Sequence, residues 1–204
     1  MVSCWGAAAT RRIQRHLGDR ALSRKKRLAR AFYNRDVLEV APELIYKILS
    51  VADGRAGRIV EVEAYRGRDD PAAHSFRGPT RRNATMFGPP GHLYVYFSYG
   101  MHWCCNATCG DGTGILIRGL LPLAGLAAMR ETRPRAVREV DLANGPGKLT
   151  QAMGIDGSLD GADLVTSSSV GIYDDGYRSV HPPRATARIG ISKAKDLPWR
   201  WVAT

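Results

Sequence analysis

The sequence contains no apolar run approaching the roughly 18 residues of a membrane span, and no secretory apolar stretch follows its first basic residues. The expectation is therefore an intracellular protein without a membrane partner. Its four cysteines, Cys4, Cys104, Cys105 and Cys109, form no paired C-x-x-C. That spacing fits no structural zinc pattern, even with His102 nearby, and reduced, partly buried thiols are expected. No metal and no cofactor are expected. Lysine is missing between Lys47 and Lys148, which removes the usual amine nucleophile from that span. Acids are scarce, 19 against 30 Lys and Arg, and the formal net charge is +11. There is no internal repeat and no alternation of strands with helices, which argues against solenoids and doubly wound parallel sheets.

What is present begins with an uneven charge. Residues 11–35 hold ten Lys or Arg against Asp19 alone, so this segment carries +9 of the +11. A basic arm on a nearly neutral body suits phosphate contact, which is electrostatic and insensitive to base sequence. Residues 1–23 read as a basic, flexible extension, with an organellar presequence as the other reading, since the first 20 residues are Arg-rich and acid-poor. Residues 24–204 read as one domain, long enough to bury a substantial core.

Within that domain, residues 24–34 read as a short basic helix. Pro42 reads as the first turn of another, with Leu44, Ile45, Ile48 and Leu49 as its apolar face. The D-G-R-A-G turn at 53–57 leads into a strand at Ile59–Tyr65. Residues 66–91 are rich in turn formers, carry Arg77, Arg81 and Arg82, and have no acid after Asp70. They read as a long ordered loop or short helical pieces, and such loops are usually functional. Strands follow at His92–Phe97 and Met101–Thr108, joined by a tight turn at Ser98-Tyr99-Gly100. G-D-G-T-G then turns into a strand at Ile115–Arg118. Pro122–Arg133 reads as a helix with Leu123, Leu126, Ala127 and Met129 inward. Gly145-Pro146 opens another helix, ending near Gly154. Further short strands include Ala187–Ser192. Hairpins dominate, so the expected fold class is α+β: a curved, mostly antiparallel sheet with surrounding helices.

The strand I-V-E-V-E-A-Y is the centre of interest. Alternation puts Val60, Val62 and Ala64 on one face, and Glu61, Glu63 and Tyr65 with Ile59 on the other. A carboxylate beside a phenol can activate water next to a flat ligand; a solvent-facing strand with incidental charges is the plain alternative. Tyr94 and Tyr96 share a strand face with His92, while Tyr99 sits at a hairpin tip, where burial is difficult. An exposed aromatic there can act as a wedge in stacked bases. A basic loop, a wedge and an aromatic pocket beside a carboxylate together fit enzymes that extrude a base for chemistry.

The motifs E-V-E-A-Y-R-G (61–67), A-A-H-S (72–75), R-N-A-T-M-F (82–87), G-H-L-Y-V-Y-F-S-Y-G-M (91–101), C-N (105–106), G-D-G (110–112), I-L-I-R (115–118) and G-P-G-K-L-T-Q-A (145–152) occur in one order. In that order and near-spacing the sequence resembles the alkyladenine (methylpurine, 3-methyladenine) DNA glycosylases over about residues 28–202. The resemblance implies a monofunctional, metal-free enzyme of base excision repair, and a monomer is expected. Its partner would be double-stranded DNA containing damaged purines. It implies Glu63 as general base, Arg118 as a partner for the attacking water, and the backbone carbonyl of Ile189 as a third water contact. Tyr65, His74 and Tyr96 correspond to the walls of the base pocket, and Asn106 to a floor residue that disfavours guanine. Tyr99 corresponds to the residue that intercalates into DNA from a β-hairpin. Arg77, Arg81, Arg82 and Lys148 are candidate phosphate contacts. Glu61 is expected to form a structural salt bridge. Relatives continue beyond P-W-R-W, which leaves the last sheet edge open.

Two other readings stand beside the enzyme: a catalytically silent binder of damaged DNA, and a nucleoside or RNA-directed hydrolase. Glu63 together with Arg118 argues against the first. The Tyr99 wedge and the basic arm argue against the second.

Overall fold

The computed structural model describes residues 25–204. The basic extension at 1–23 and Cys4 lie outside the described residues. The elements run β1 (Lys26–Arg27), α1 (Arg30–Tyr33), α2 (Val37–Leu44), β2 (Ile48–Val51), β3 (Ala56–Arg66), β4 (His92–Ser98), β5 (His102–Gly110) and β6 (Thr113–Ala124). They continue with α3 (Leu126–Thr132), α4 (Pro146–Met153), β7 (Ala162–Asp163), β8 (Val170–Asp174), β9 (Arg184–Thr186) and β10 (Arg200–Val202). Short 3₁₀ turns at Gly67–Asp69 and Arg81–Phe87 punctuate the long loop before β4.

One open sheet takes the order β1-β8-β2-β3-β6-β5-β4-β7, with β10 pairing β3 and β9 beside it. Every described strand pair is antiparallel. With helices packed on this sheet, the fold is the expected α+β class. The core gathers α2 residues Val40, Ala41 and Leu44, the β3 residues Val60, Val62 and Ala64, and the α4 residues Leu149, Ala152 and Met153. The centre is β3, which β2, β6 and β10 all join. Its register slips around Glu61, between Ile59 and Val62, where β6 supplies Leu120, Gly119 and Ile117. Such a bulge twists the strand and re-aims side chains.

Several local expectations give way. Residues 24–34 divide into β1 and the single turn α1, because Lys26 and Arg27 pair with β8. The helix near Pro42 begins earlier, capped by the Asp36 carboxylate accepting from the Leu38 N–H at 2.8 Å. Pro42 falls inside it, and the left-handed backbone of Tyr46 (φ 73°) ends helical continuation, so Ile48 and Leu49 enter β2. The strand at Ile115–Arg118 extends to Ala124, because β3 stays paired with β6 as far as Ala56 opposite Ala124. β5 pairs β6 only over Thr113–Leu116, so Pro122 lies where β6 has one described neighbour and a missing N–H is tolerated. The following helix therefore starts only at Leu126, and Ala127 faces out. Ala187–Ser192 is not a strand. Arg188 turns inward to Asp70, and Gly190 adopts φ 77°.

Candidate active site

The two faces of β3 are both buried. Glu61 keeps 7% of its surface and Glu63 none, so the solvent-facing reading of this strand fails. Buried carboxylates need partners, and each has them. The Glu63 Oε1 accepts the backbone N–H of Ile189 at 2.7 Å. Its Oε2 accepts the Tyr65 hydroxyl at 2.9 Å and Nη1 of Arg118 at 3.2 Å. Glu61 Oε1 accepts Nε of Arg118 at 2.9 Å and Nε of Arg200 at 2.7 Å. The expected salt bridge of Glu61 is thus present, and it links to Glu63 through one guanidinium. Arg118 reaches both carboxylates from mid-β6. Burial works against its charge, but Glu63 and Glu61 outweigh that and hold its pKa above the ordinary guanidinium value.

Above this cluster opens a cleft of about 1100 Å³. Tyr65, Arg118 and Ile189 line it, and Glu63 lies directly beneath them. The aromatic walls come from two strands and the long loop. The rings of Tyr94 and Tyr96 stack at 5.4 Å, and His74 meets Tyr96 edge-on at 4.5 Å. The Thr80–Asn83 capping box organises the loop, and Asn83 Nδ2 donates to the His74 carbonyl at 3.0 Å. Loss of solvent around the ring, with the Arg82 charge nearby, lowers the His74 pKa below its usual 6.5. The imidazole is therefore neutral near pH 7, with one donor and one acceptor nitrogen. Burial raises Tyr65 and Tyr96, with the Glu63 charge adding to the effect at Tyr65, and pushes Tyr94 up to about 12. The pocket hydroxyls stay protonated. Asn106, almost fully buried, also lines the cleft, its Nδ2 donating to the Tyr94 carbonyl at 3.3 Å. Cys104 also lines the cleft, and burial raises its thiol pKa; Cys105 points into the core.

Tyr99 stands at the β4–β5 tip, 80% exposed and at φ 50°, with Met101 72% exposed beside it. Arg82 and Lys148 reach the cleft. Arg82 Nη2 donates to the Phe97 carbonyl at 2.8 Å, and Lys148 Nζ to Asn144 Oδ1 at 2.8 Å. Arg77 and Arg81 are exposed but lie outside the cleft lining. Sequence reasoning passed over Arg133 and Lys193, which also line the cleft, and the buried Arg188 and Arg200. Lys193 had a signal in its Gly- and Lys-rich loop, G-I-S-K-A-K. The buried arginines had none, because nothing local marks which acid they meet. Among the described residues, no group of three or more His, Cys, Asp or Glu could hold a metal ion. No described helix is long and apolar enough to cross a membrane.

An aromatic cleft over a buried, hydrogen-bonded carboxylate, with an exposed aromatic at its edge, sets a surface for a flat ligand beside a group that can activate water. The family model for methylpurine-DNA glycosylase matches residues 31–204, and the chain belongs to that DNA glycosylase family. Among curated proteins, it is 62% identical over 176 residues to a Burkholderia cenocepacia protein, covering 84% of this chain and 85% of the relative. It is 52% identical over 178 residues to a Rhodopseudomonas palustris protein, covering 85% of each. A Koribacter versatilis protein is 49% identical over 186 residues, covering 86% of this chain and 88% of that one. Each of these relatives carries the name "Putative 3-methyladenine DNA glycosylase".

Proposed function

We propose that this chain acts as a monomer inside the cell, flips damaged purine nucleotides out of duplex DNA and hydrolyses their N-glycosidic bond, leaving an abasic site. Its substrates are purines of the 3-methyladenine, hypoxanthine and ethenoadenine type. It has no lyase step. The observation that carries this reading is Glu63, held by three donors beneath a cleft walled with aromatic rings.

The chemistry follows from charge. Breaking the bond builds positive charge on the sugar, and a carboxylate close to C1′ both stabilises that charge and takes a proton from water. Both Glu63 oxygens are engaged in the free protein. The Arg118 contact, at 3.2 Å the longest of the three, opens to admit the water. Arg118 stays near through Glu61 and orients that water, and the Ile189 carbonyl supplies a third contact. Tyr65, His74 and Tyr96 sandwich the base, and a cationic alkylpurine gains from their electron-rich faces. Asn106 at the floor excludes the amino group of guanine. Tyr99 fills the vacated stack, and Arg82 and Lys148, with Arg77 and Arg81 further out, take the phosphates.

The test is incubation with duplexes carrying hypoxanthine, ethenoadenine or a methylated purine, followed by alkaline cleavage of abasic sites. Alkali-dependent breaks at the lesion are expected. Tight lesion binding without breaks on any duplex would replace this reading with that of a silent damaged-DNA binder.

A further inference from the structure

Behind Tyr65 lies a charge that the proposed chemistry does not use. Arg188 is fully buried in its side chain and pairs with the equally buried Asp70 at 2.5 and 2.9 Å. Its guanidinium stands 4.8 Å from the Tyr65 ring centre and 5.2 Å from that of Trp199, and Nη1 also donates to the Ala64 carbonyl at 3.0 Å. Tyr65 faces the cleft and Arg188 does not, so the cation sits on the side of the ring turned away from the ligand. Arg188 also precedes Ile189, whose N–H holds Glu63.

A ring offers each face the same negative potential until a charge approaches one of them. A guanidinium on the rear face draws that electron density toward itself. The front face then offers less to a cationic ligand than an unpolarised tyrosine would. Among the described residues Tyr96 has no such partner this close; Arg82 lies 5.9 Å from its centre. We propose that Arg188 is a specificity-determining residue: acting through Tyr65, it restrains the preference of the pocket for cationic alkylpurines and keeps neutral damaged purines competitive. Asp70 sets how strongly, by neutralising part of the Arg188 charge. This inference rests on the glycosylase reading above.

The experiment measures kcat/KM on matched duplexes carrying 7-methyladenine, which is cationic and lacks the 2-amino group of guanine, and hypoxanthine, which is neutral. Arg188→Met should raise the cationic-to-neutral ratio about threefold or more, the size expected of a partly buried cation–π contact. Asp70→Asn unmasks the cation and should lower the ratio. Arg188→Lys keeps the charge and should leave it near the parent value. Single variants leave a buried charge unpaired and can lose fold. The double variant Asp70→Asn/Arg188→Met leaves no unpaired charge at this position, and it should raise the ratio while unfolding near the parent temperature. Equal losses on both substrates in Arg188→Met, Asp70→Asn and the double variant would assign the pair a purely structural role and overturn the inference. Failure of the parent on both duplexes would overturn the glycosylase reading, and this inference with it.

Discussion

Tyr65 and Glu63 sit two residues apart on β3, and the phenol donates to Oε2 of the carboxylate at 2.9 Å. One side chain thus serves two purposes, wall of the cleft and anchor of the buried acid. The two separate on mutation. Tyr65→Phe keeps the ring and removes the donor. A hydrogen bond to a charged group contributes about 1.5–3 kcal/mol, so kcat should fall roughly tenfold or more while lesion affinity changes little. A matching loss of affinity, measured by titration of lesion duplex, would mean that the hydroxyl contacts the base instead.

Glu63→Gln should abolish base release and leave binding of lesion DNA nearly intact. Loss of a general base lowers rates by roughly 10²–10⁴-fold. The side chain is fully buried among donors, and an amide brings its own N–H into that set. Unfolding temperature should therefore be measured beside single-turnover rate. Parental turnover by a folded Gln variant would remove Glu63 from the mechanism.

His74 gives the pH dependence. Its pKa is lowered from 6.5 by desolvation and by the Arg82 charge, so the neutral ring persists to lower pH than an ordinary histidine. Below that pKa the pocket gains a positive charge. Excision of a cationic alkylpurine should then fall on acidification, beginning below pH 6.5, more steeply than excision of a neutral lesion. His74→Gln should remove that difference. Identical acid limbs for both lesions in the parent would show that His74 does not face the base.

Tyr99→Ala should weaken flipping more than chemistry. The ring is 80% exposed at the hairpin tip, and base–aromatic stacking is worth roughly 1–3 kcal/mol in single-strand binders. The loss should be large for a well-paired lesion and small for one in a mismatch or single strand. Equal losses on all three would point to a folding defect.

The basic extension should set salt-dependent affinity without altering lesion ranking. Deleting residues 1–23 removes Arg11, Arg12, Arg15 and Arg20. Each phosphate contact contributes a slope of about −0.9 in log K against log salt, so the truncated chain should show a shallower slope on damaged and undamaged duplex alike. An unchanged slope would mean that the extension does not touch DNA.

The alternation of I-V-E-V-E-A-Y, the aromatic spacing of β4 and the turn at Ser98–Gly100 were legible because they are local. Period-2 patterning and glycine punctuation act over a few residues. Strand order and the extent of β6 were not legible, since pairing with β3 overrides the local helix signal of Pro122 and Leu123. The same holds for Pro42, which looks like a helix start until Asp36 is seen to cap the helix earlier. At the site, residue types alone pointed to Glu63, Tyr65 and Tyr99, and the family resemblance added His74. That Glu63 is sealed beneath the cleft, that Glu61 reaches Arg118 and Arg200, and that Arg188 lies behind Tyr65 were decided only by tertiary structure. Those partners are 55 to 139 residues apart along the chain. A buried charge chooses its partner by three-dimensional proximity and desolvation, and neither is written in local sequence.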